Sequence, residues 1–371
     1  MKETIERFDF RDLFVLDLAN NHQGSVEHGT TIIDRFADVV ASHGVRAALK
    51  FQFRDLDTFV HPDHMGGSAN KHVDRFLSTR LDWDGYRQLL TVVKRRGLVA
   101  MCTPFDERSV DKIVEMNFDV IKIASCSAND WPLLEKAAST GMPMIVSTGG
   151  LTLDRVDDVV SFLEHRGSDF ALMHCVSIYP TPDPACNLGN ITSFRTRYPS
   201  RVIGWSTHEN PDDTVPVGIA AALGAEMFER HVGVATDTIK LNAYSATPEQ
   251  VDAWITAWKR VKVLIGSEVR NEALPTEKEA IDGLARGVFA RGPIEAGVTL
   301  RREDVYFAFP FAPGSLSSSE WRSGIVTLDD IAADAPVDKV VVEIPGDPDE
   351  KVIKDAVHEV KGLLNLSLIH I

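Results

Sequence analysis

Positive charge is scarce in this chain. Thirty-nine Lys and Arg face 54 Asp and Glu, a formal net charge of −15 with a pI near 5.2. No Lys/Arg run offsets the deficit, which argues against a nucleic-acid surface and leaves room only for a local basic pocket around a small anion. Long apolar runs are missing too. None approaches the roughly 20 residues that a membrane span needs, and the opening Met1-Lys-Glu-Thr-Ile-Glu-Arg7 has no apolar stretch for a signal peptide. Cysteine is sparse: Cys102, Cys126, Cys175 and Cys186 form no CxxC pair, which speaks against a disulfide framework or a thiolate metal site. Three of the four sit in apolar, strand-like runs and read as small buried thiols. There is no low-complexity segment and no short repeat. Together these absences point to a cytoplasmic protein with no membrane or nucleic-acid partner.

What is there is a rhythm. With 371 residues, 44% apolar and 25% charged, the chain suits one large domain plus an appendage. Eight short runs rich in Val, Ile, Leu and Phe predict strands at Leu13–Ala19, Arg46–Phe53, Val99–Phe105, Val120–Ser125, Pro143–Ser147, Phe170–Val176, Val202–Ser206 and Glu226–Val232. Most do not alternate, as expected of strands buried on both faces. Helical patterns lie between them: Val26–Ser42, Tyr86–Arg96, Arg108–Met116, Asp130–Ser139, Leu153–His165, Pro216–Leu223 and Pro248–Leu264. A glycine follows most of them, a left-handed stop signal. Eight strands alternating with helices over ~250 residues predict a (β/α)8 TIM barrel, with a doubly wound open sheet as the rival.

Two stretches break the rhythm. Residues 54–82 form a long insertion after the second strand, a loop length that is usually functional, and it is placed to cap the barrel mouth. The polar stretch 267–284 reads as a linker carrying a short helix near Glu277–Ile281. We therefore expect a barrel over residues 1–266, a small β-rich module over 285–337 with a strand-like Ile331–Val337, and an extension over 338–371 made of a strand at Val340–Ile344 and a helix at Pro348–Leu364. The sequence stops on Leu366-Ser-Leu-Ile-His-Ile371, an apolar run with no polar tail, which reads as an arbitrary boundary.

Barrels of this kind place their chemistry at the C-terminal ends of the strands. Those ends carry Asp17, Asn20, Asn21 and His22; Lys50 and Gln52; Thr103; Lys122 and Ser125; Ser147 and Thr148; His174, Ser177 and Tyr179; Ser206 and His208; and Glu229 and His231. His208 and His231 end adjacent strands, an open two-imidazole site for a divalent metal. Lys50 and Lys122, each inside an apolar strand, would be costly unless paired with a carboxylate or used on an anionic ligand. The hydroxyls would donate to phosphate oxygens.

In this order the pieces Asn21-His-Gln-Gly24, Lys50-Phe-Gln52, Thr103-Pro-Phe-Asp106, Ile121-Lys-Ile123, Ser147-Thr-Gly149, His174-Cys175, Ile178-Tyr-Pro-Thr-Pro182, Gly204-Trp-Ser206 with His208, and Glu229-Arg-His231 span residues 13–265. The chain thereby resembles the N-acetylneuraminate (sialic acid) synthases and their legionaminic and pseudaminic acid relatives, and residues 285–337 resemble their antifreeze-like (SAF) domain. The resemblance implies a transferase that condenses phosphoenolpyruvate with an open-chain amino-sugar aldehyde and releases phosphate. It implies that Lys50, Lys122, Thr103, Ser125, Ser147, Ser206 and Tyr179 hold phosphoenolpyruvate, with Ser177 also among the substrate-binding positions. Gln52 would lie near the sugar, and His208 and His231 would ligate Mn2+, with Mg2+ or Co2+ as substitutes. It further implies a domain-swapped homodimer in which the SAF domain caps a partner's barrel.

Where the family carries a glutamate that handles the attacking water, this chain has Asp17, shorter by one methylene. Other family positions also differ. The sugar-binding glutamate is Ser127, an asparagine is Ser177, a Gly-Pro-Asp pattern reads Lys240-Leu-Asn242, and the Asp before the first histidine is Thr207. The SAF arginine is missing from Phe307-Ala-Phe-Pro310. The donor and metal positions are largely kept while acceptor positions change, so the expected acceptor is not plain N-acetylmannosamine. Three other readings compete. A metal-dependent barrel hydrolase would gather more His and Asp ligands. A Schiff-base aldolase on Lys50 or Lys122 would be trapped by borohydride. A non-catalytic sugar-phosphate binding homologue would be stabilised by ligand without turnover.

Overall fold

The structure, a computed structural model, describes residues 7–65, 68–267, 269, 272–344 and 358–360. The chain divides into two compact units, Met1–Glu268 and Val269–Ile371. The first begins with β1 (Leu13–Asp17), α1 (Val26–His43) and β2 (Arg46–Phe53). The insertion follows and holds α2 (Leu56–Phe59) and α3 (Lys71–Ser78) before α4 (Trp83–Arg95). Then come β3 (Val99–Pro104), α5 (Glu107–Glu115), β4 (Val120–Ile123), α6 (Trp131–Ala138), β5 (Met144–Ser147) and α7 (Leu153–His165). The unit closes with β6 (Phe170–Cys175), α8 (Asn190–Arg197), β7 (Ile203–Thr207), α9 (Val215–Ala222), β8 (Met227–His231) and α10 (Pro248–Ile265). The strands form a closed barrel in the order β1 to β8, every pairing parallel, and β8 returns to β1. This is the expected (β/α)8 barrel.

Local chemistry sets the element ends. Ser25 caps α1 by accepting from His28 N, and Gly44 stops it with φ of 59°, a conformation that costs glycine nothing. Asp106 caps α5 from Ser109 N, and Thr247 with Gln250 forms a capping box at α10. The sequence pattern shows no helix at α8. Only Ile191 and Phe194 of its residues are buried, and Thr192, Thr196 and Ile191 are weak helix formers, so the amphipathic signal is faint.

Alternation along the strands sorts the side chains. Leu13, Val15, Ala48, Met101, Val120, Ile145, Ala171, Met173 and Met227 pack together inside the barrel as an apolar floor. Their neighbours Phe14, Leu16, Leu49, Phe51, Cys102, Ile121, Val146, Leu172 and Phe228 point outward into the helix layer. Gly204 belongs to this packing, since a Cβ there would lie 2.7 Å from Met227 Cβ. Moving two residues on from the floor along each strand reaches Asp17, Lys50, Thr103, Lys122, Ser147, Cys175, Ser206 and Glu229. The polar site is thus the next layer of the same barrel.

The second unit contains α11 (Pro275–Asp282) and two antiparallel ladders, β9 (Gly287–Ala290) with β10 (Val305–Ala308), and β11 (Val326–Thr327) with β12 (Val342–Glu343). They surround a core of Val288, Ala290, Leu300, Val305, Leu316, Ile325 and Val337. Ile331–Val337 is not a continuous strand: Ile331 makes one bridge to Ile294, and Asp334 turns the backbone at φ of 61°. The helix expected over Pro348–Leu364 lies almost wholly outside the described residues. No helix among the described residues is long and apolar enough to cross a membrane.

Candidate active site

Parallel register places Asp17 beside both Lys50 and His231, Gln52 beside Thr103, and Ser206 beside Glu229. The side chains extend this into one network. Lys50 Nζ lies 3.0 Å from Asp17 Oδ2 and 3.1 Å from Glu229 Oε1. Lys122 Nζ lies 3.4 Å from the same Glu229 oxygen and donates to Ser147 Oγ at 2.6 Å. Ser206 Oγ donates to Glu229 at 2.9 Å, and Gln52 Nε2 donates to Asp17 Oδ2 at 3.2 Å. Asp17 Oδ1 accepts from Ala19 N, which fixes the carboxylate plane. All but Gln52 are buried. Both lysines therefore do pair with carboxylates, and they do so in the layer that faces the mouth.

The charges are tightly balanced. Burial alone would push the Glu229 carboxyl up, but the Lys122 and Lys50 ammonium groups hold it well below the usual range. Burial depresses Lys50, yet Asp17 and Glu229 outweigh it and raise that ammonium above its ordinary value. Lys122 goes the other way: burial dominates and lowers it, with Glu229 offsetting only part. Two buried oxygens here, Glu229 Oε2 and Thr103 Oγ1, have no hydrogen-bond partner among the described residues. Orphaned polar atoms in such a layer suit a polar ligand.

Beside this network stand the two imidazoles, with ring centroids 5.3 Å apart. His208 Nδ1 meets Val176 O at 3.0 Å, so Nδ1 carries the proton and Nε2 keeps its lone pair. His231 Nδ1 faces Asp17 Oδ2 at 3.4 Å, the outer partner that orients a metal-binding histidine. Burial, then the charge of His231, lowers His208 to about 3, and burial also lowers His231. Both rings are neutral at pH 7, the form that ligates. They fit a divalent ion as two ligands of an open site. No cluster of three or more His, Cys, Asp or Glu suited to a metal occurs among the described residues.

Half-exposed Tyr179 packs 4.1 Å from His208, centroid to centroid, and Tyr244 lies 5.2 Å from His231. Farther round the rim, Gly149 N donates to Ser125 Oγ at 3.0 Å. A Cβ on Gly149 would stand 2.5 Å from Ser177 Oγ and 2.7 Å from Ser125 Oγ. Ser125, Ser177 and the Gly149 backbone thus share one small space. His174 lies apart and bonds Cys186 O at 2.8 Å, while His22 Nδ1 accepts from Gly24 N within its own turn.

The sequence reading placed Glu229 at a strand end without a role and did not single out Tyr244, Arg54 or Arg75. Arg54 follows β2, donates from Nη2 to Gln52 Oε1 at 3.2 Å and stacks on Phe105 and Phe76 at 3.6 and 4.0 Å. Arg75 sits on α3 of the insertion. Nothing in the local sequence marks either arginine, because each owes its place to the fold of the insertion.

A (β/α)8 barrel with a buried lysine pair, several hydroxyls and two neutral imidazoles gathered at its strand ends has the layout of an enzyme site. The chain belongs to the NeuB family, whose model matches residues 37–270, and it is a transferase of that family. An N-acetylneuraminate-9-phosphate synthase from Drosophila melanogaster is 27% identical over 87% of this chain and 94% of its own length. A solved structure of a spore coat polysaccharide biosynthesis protein E from Chromobacterium violaceum is 43% identical with a TM-score of 0.87, covering 90% of this chain and 100% of that one. An N-acetylneuraminic acid synthetase from Leptospira borgpetersenii, solved with citrate, is 26% identical with a TM-score of 0.65, covering 76% of this chain and 94% of that one.

Proposed function

We propose that the enzyme condenses phosphoenolpyruvate with an open-chain amino-sugar aldehyde, other than plain N-acetylmannosamine, to give a nonulosonic acid and phosphate. The observation that carries this reading is the single chain of contacts from Lys122 through Glu229, Lys50 and Asp17 to His231. It links two ammonium groups to the imidazole of His231, beside His208, in one polar layer of the barrel.

In the proposed reaction C3 of the enol forms a bond to the aldehyde carbon, and the aldehyde oxygen takes a proton. Positive charge develops at C2, water adds there, and the C2–O bond to phosphate breaks with its electron pair leaving on phosphate. Lys50 and Lys122 hold the anionic donor, with Ser147, Ser206, Thr103 and Tyr179 around it. Ser125, Ser177 and Gly149 N cradle phosphate oxygens, a preorganised donor set for charge that grows on the leaving group. Asp17, buried and oriented by Lys50 and Gln52, is positioned to take the proton of the adding water. A divalent ion on His208 and His231, Mn2+ in our reading, supplies a Lewis acid for the aldehyde oxygen when bound. Gln52 faces the acceptor.

We assign residues 285–337 as the antifreeze-like domain and the active form as a domain-swapped homodimer in the cytoplasm. The likeness to a relative matched over 94% of its length supports the domain assignment; the dimer and the location rest on the family resemblance. Incubation with phosphoenolpyruvate, Mn2+ and a panel of aldehydes tests the reaction. Phosphate release with a new nonulosonic acid seen by mass spectrometry is expected. Phosphate at the level of the enzyme-free blank with every aldehyde would overturn it.

A further inference from the structure

Four rings close on one another at the strand ends. Tyr179 stands 4.1 Å from His208, His208 5.3 Å from His231, His231 5.2 Å from Tyr244 and Tyr244 5.1 Å from Tyr179, centroid to centroid. The diagonals are 6.4 and 6.3 Å, so each tyrosine packs near both imidazoles. Condensation as proposed uses three corners of this square, the imidazole pair and Tyr179. Tyr244 alone has no part in it.

Tyr244 is placed by a built turn. The segment after β8 leaves the barrel at Val232 and returns to it at Ala246. There Gly233 N donates to Ala246 O at 3.1 Å, and Ala246 N donates to His231 O at 2.8 Å. Asn242 Oδ1 accepts from Tyr244 N at 3.1 Å and from Ser245 N at 2.9 Å, the local bonding that makes asparagine a turn former. Buried Ser245 is tied from the other side: Asn21 Nδ2 donates to its Oγ at 3.0 Å and to Val232 O at 2.7 Å. The backbone is therefore pinned before and after Tyr244, and the ring is held against the imidazoles.

The other hydrogens near the imidazoles are committed. Lys50 and Gln52 give theirs to Asp17, and Lys50 also faces Glu229. Ser206 donates to Glu229, and Lys122 to Ser147. The Tyr179 hydroxyl is engaged by Ser177. The Tyr244 hydroxyl has no hydrogen-bond partner among the described residues; its turn is held through the backbone.

We infer that the Tyr244 hydroxyl donates a hydrogen bond to the acceptor's aldehyde oxygen and is a further catalytic residue. This rests on the condensation reading. As C3 of the enol bonds to the aldehyde carbon, the C=O π pair moves onto the oxygen and negative charge grows there. A fixed O–H aimed at growing charge acts more strongly in the transition state than on the neutral carbonyl. No net proton leaves Tyr244: the proton that this oxygen finally takes balances the one that the adding water gives up.

The test compares wild type, Y244F and Y244A as full-length, Mn2+-loaded enzyme. The aldehydes are N-acetylmannosamine, its 6-phosphate and its 6-deoxy analogue, and the kinetics use the one that wild type turns over fastest. Y244F keeps the ring and loses only the hydroxyl. Its kcat should fall at least tenfold, the order expected for one lost donor to developing charge, while the acceptor KM moves less than threefold. Its melting temperature should hold, and the Kd values for phosphoenolpyruvate and Mn2+ should stay within twofold, read by calorimetry and by electron paramagnetic resonance. Infrared difference spectra of the bound aldehyde, labelled with 13C at its carbonyl, should show the C=O band at higher frequency in Y244F than in wild type. Y244A should add a loss of stability. A Y244F enzyme with wild-type kcat and an unmoved carbonyl band would reduce Tyr244 to a packing ring and overturn the inference, with the condensation reading intact. Mn2+ affinity lost in Y244F would overturn it too, because the hydroxyl would then serve the imidazole pair and not the substrate. A wild type that releases phosphate with none of the aldehydes would sink the condensation reading and this inference with it.

Discussion

Glu209 and Arg230 form an ion pair that is almost wholly shut off from water, with 2% and 0% of the side chains exposed. Each is the chain neighbour of one imidazole: Glu209 follows His208, and Arg230 precedes His231. Arg230 also donates to Pro211 O at 3.3 Å and lies over the Trp254 ring. The pair ties the loop after β7 to β8 on the outer face of the barrel, while the two histidines face inward. Removing one partner strands the other charge in an apolar surround, at a cost of about 3–5 kcal/mol. We expect E209A to unfold at a markedly lower temperature and to lose Mn2+ affinity with it, because the loop that carries His208 loses its anchor. Differential scanning calorimetry checks the first part. An E209A melting temperature within about 2 °C of wild type, under 1 kcal/mol for a unit of this size, would show that the pair contributes little.

The imidazole pair gives a second expectation. Both rings are neutral at pH 7, and their outer nitrogens are held by Val176 O and Asp17. Chelation with EDTA should abolish phosphate release, and added Mn2+ should restore it. H208A or H231A should each weaken Mn2+ binding by at least a hundredfold, read by electron paramagnetic resonance of free Mn2+, since two ligands leave little redundancy. D17N should weaken it by roughly 10–100-fold through the lost outer contact to His231. Full turnover in metal-stripped enzyme would contradict the assignment.

Glu229 sits between two ammonium groups, so its charge can be removed without changing its shape. In E229Q the cavity floor carries a net positive charge, and Lys50 and Lys122 repel one another across a space of a few ångströms. The free protein should lose stability. The donor anion, which now replaces the missing charge, should bind E229Q more tightly than wild type by about tenfold. Such a change corresponds to ~1.4 kcal/mol and is modest for charges this close in a partly dry site. Thermal shift with phosphoenolpyruvate reads both effects, as a lower starting temperature and a larger ligand-induced rise. A smaller rise than in wild type would mean that Glu229 contacts the ligand directly.

The barrel was legible because most strands are apolar runs buried on both faces and most of the helices between them are followed by glycine. These are local signals that tertiary context does not override. The strand-end inventory was legible for the same reason: once β8 is placed, His231 falls opposite Asp17 by register alone. What sequence could not yield is which charges cancel. The Lys122–Glu229 contact joins residues more than a hundred apart, and the solitude of Arg54 depends on Asp55 and Asp57 being engaged by Arg108 and Arg80. The loss of a continuous strand at Ile331–Val337 has a similar origin. Its composition suits a strand, and the left-handed Asp334 that breaks it is set by the turn it closes with β9.

Gly149 provides the sharpest steric test of the hydroxyl cradle. Its φ is not in the left-handed region, so alanine is conformationally tolerated and the only penalty is space. The new methyl would stand 2.5 Å from Ser177 Oγ and 2.7 Å from Ser125 Oγ, well inside contact distance. Both hydroxyls must turn away, and the Gly149 N–H to Ser125 bond of 3.0 Å is lost or lengthened. If the three groups hold the leaving phosphate, G149A should raise the KM for phosphoenolpyruvate tenfold or more and depress kcat, since donors aimed at developing charge act most strongly in the transition state. The KM for the acceptor should move less than threefold, because in the proposed reaction these three groups hold the donor's phosphate and not the acceptor. Steady-state kinetics with either substrate varied separates these outcomes, and S177A with S125A should reproduce the donor effect without the crowding. Equal rises in both Michaelis constants would show that the methyl distorts the barrel rim as a whole and would remove the case for a phosphate cradle there.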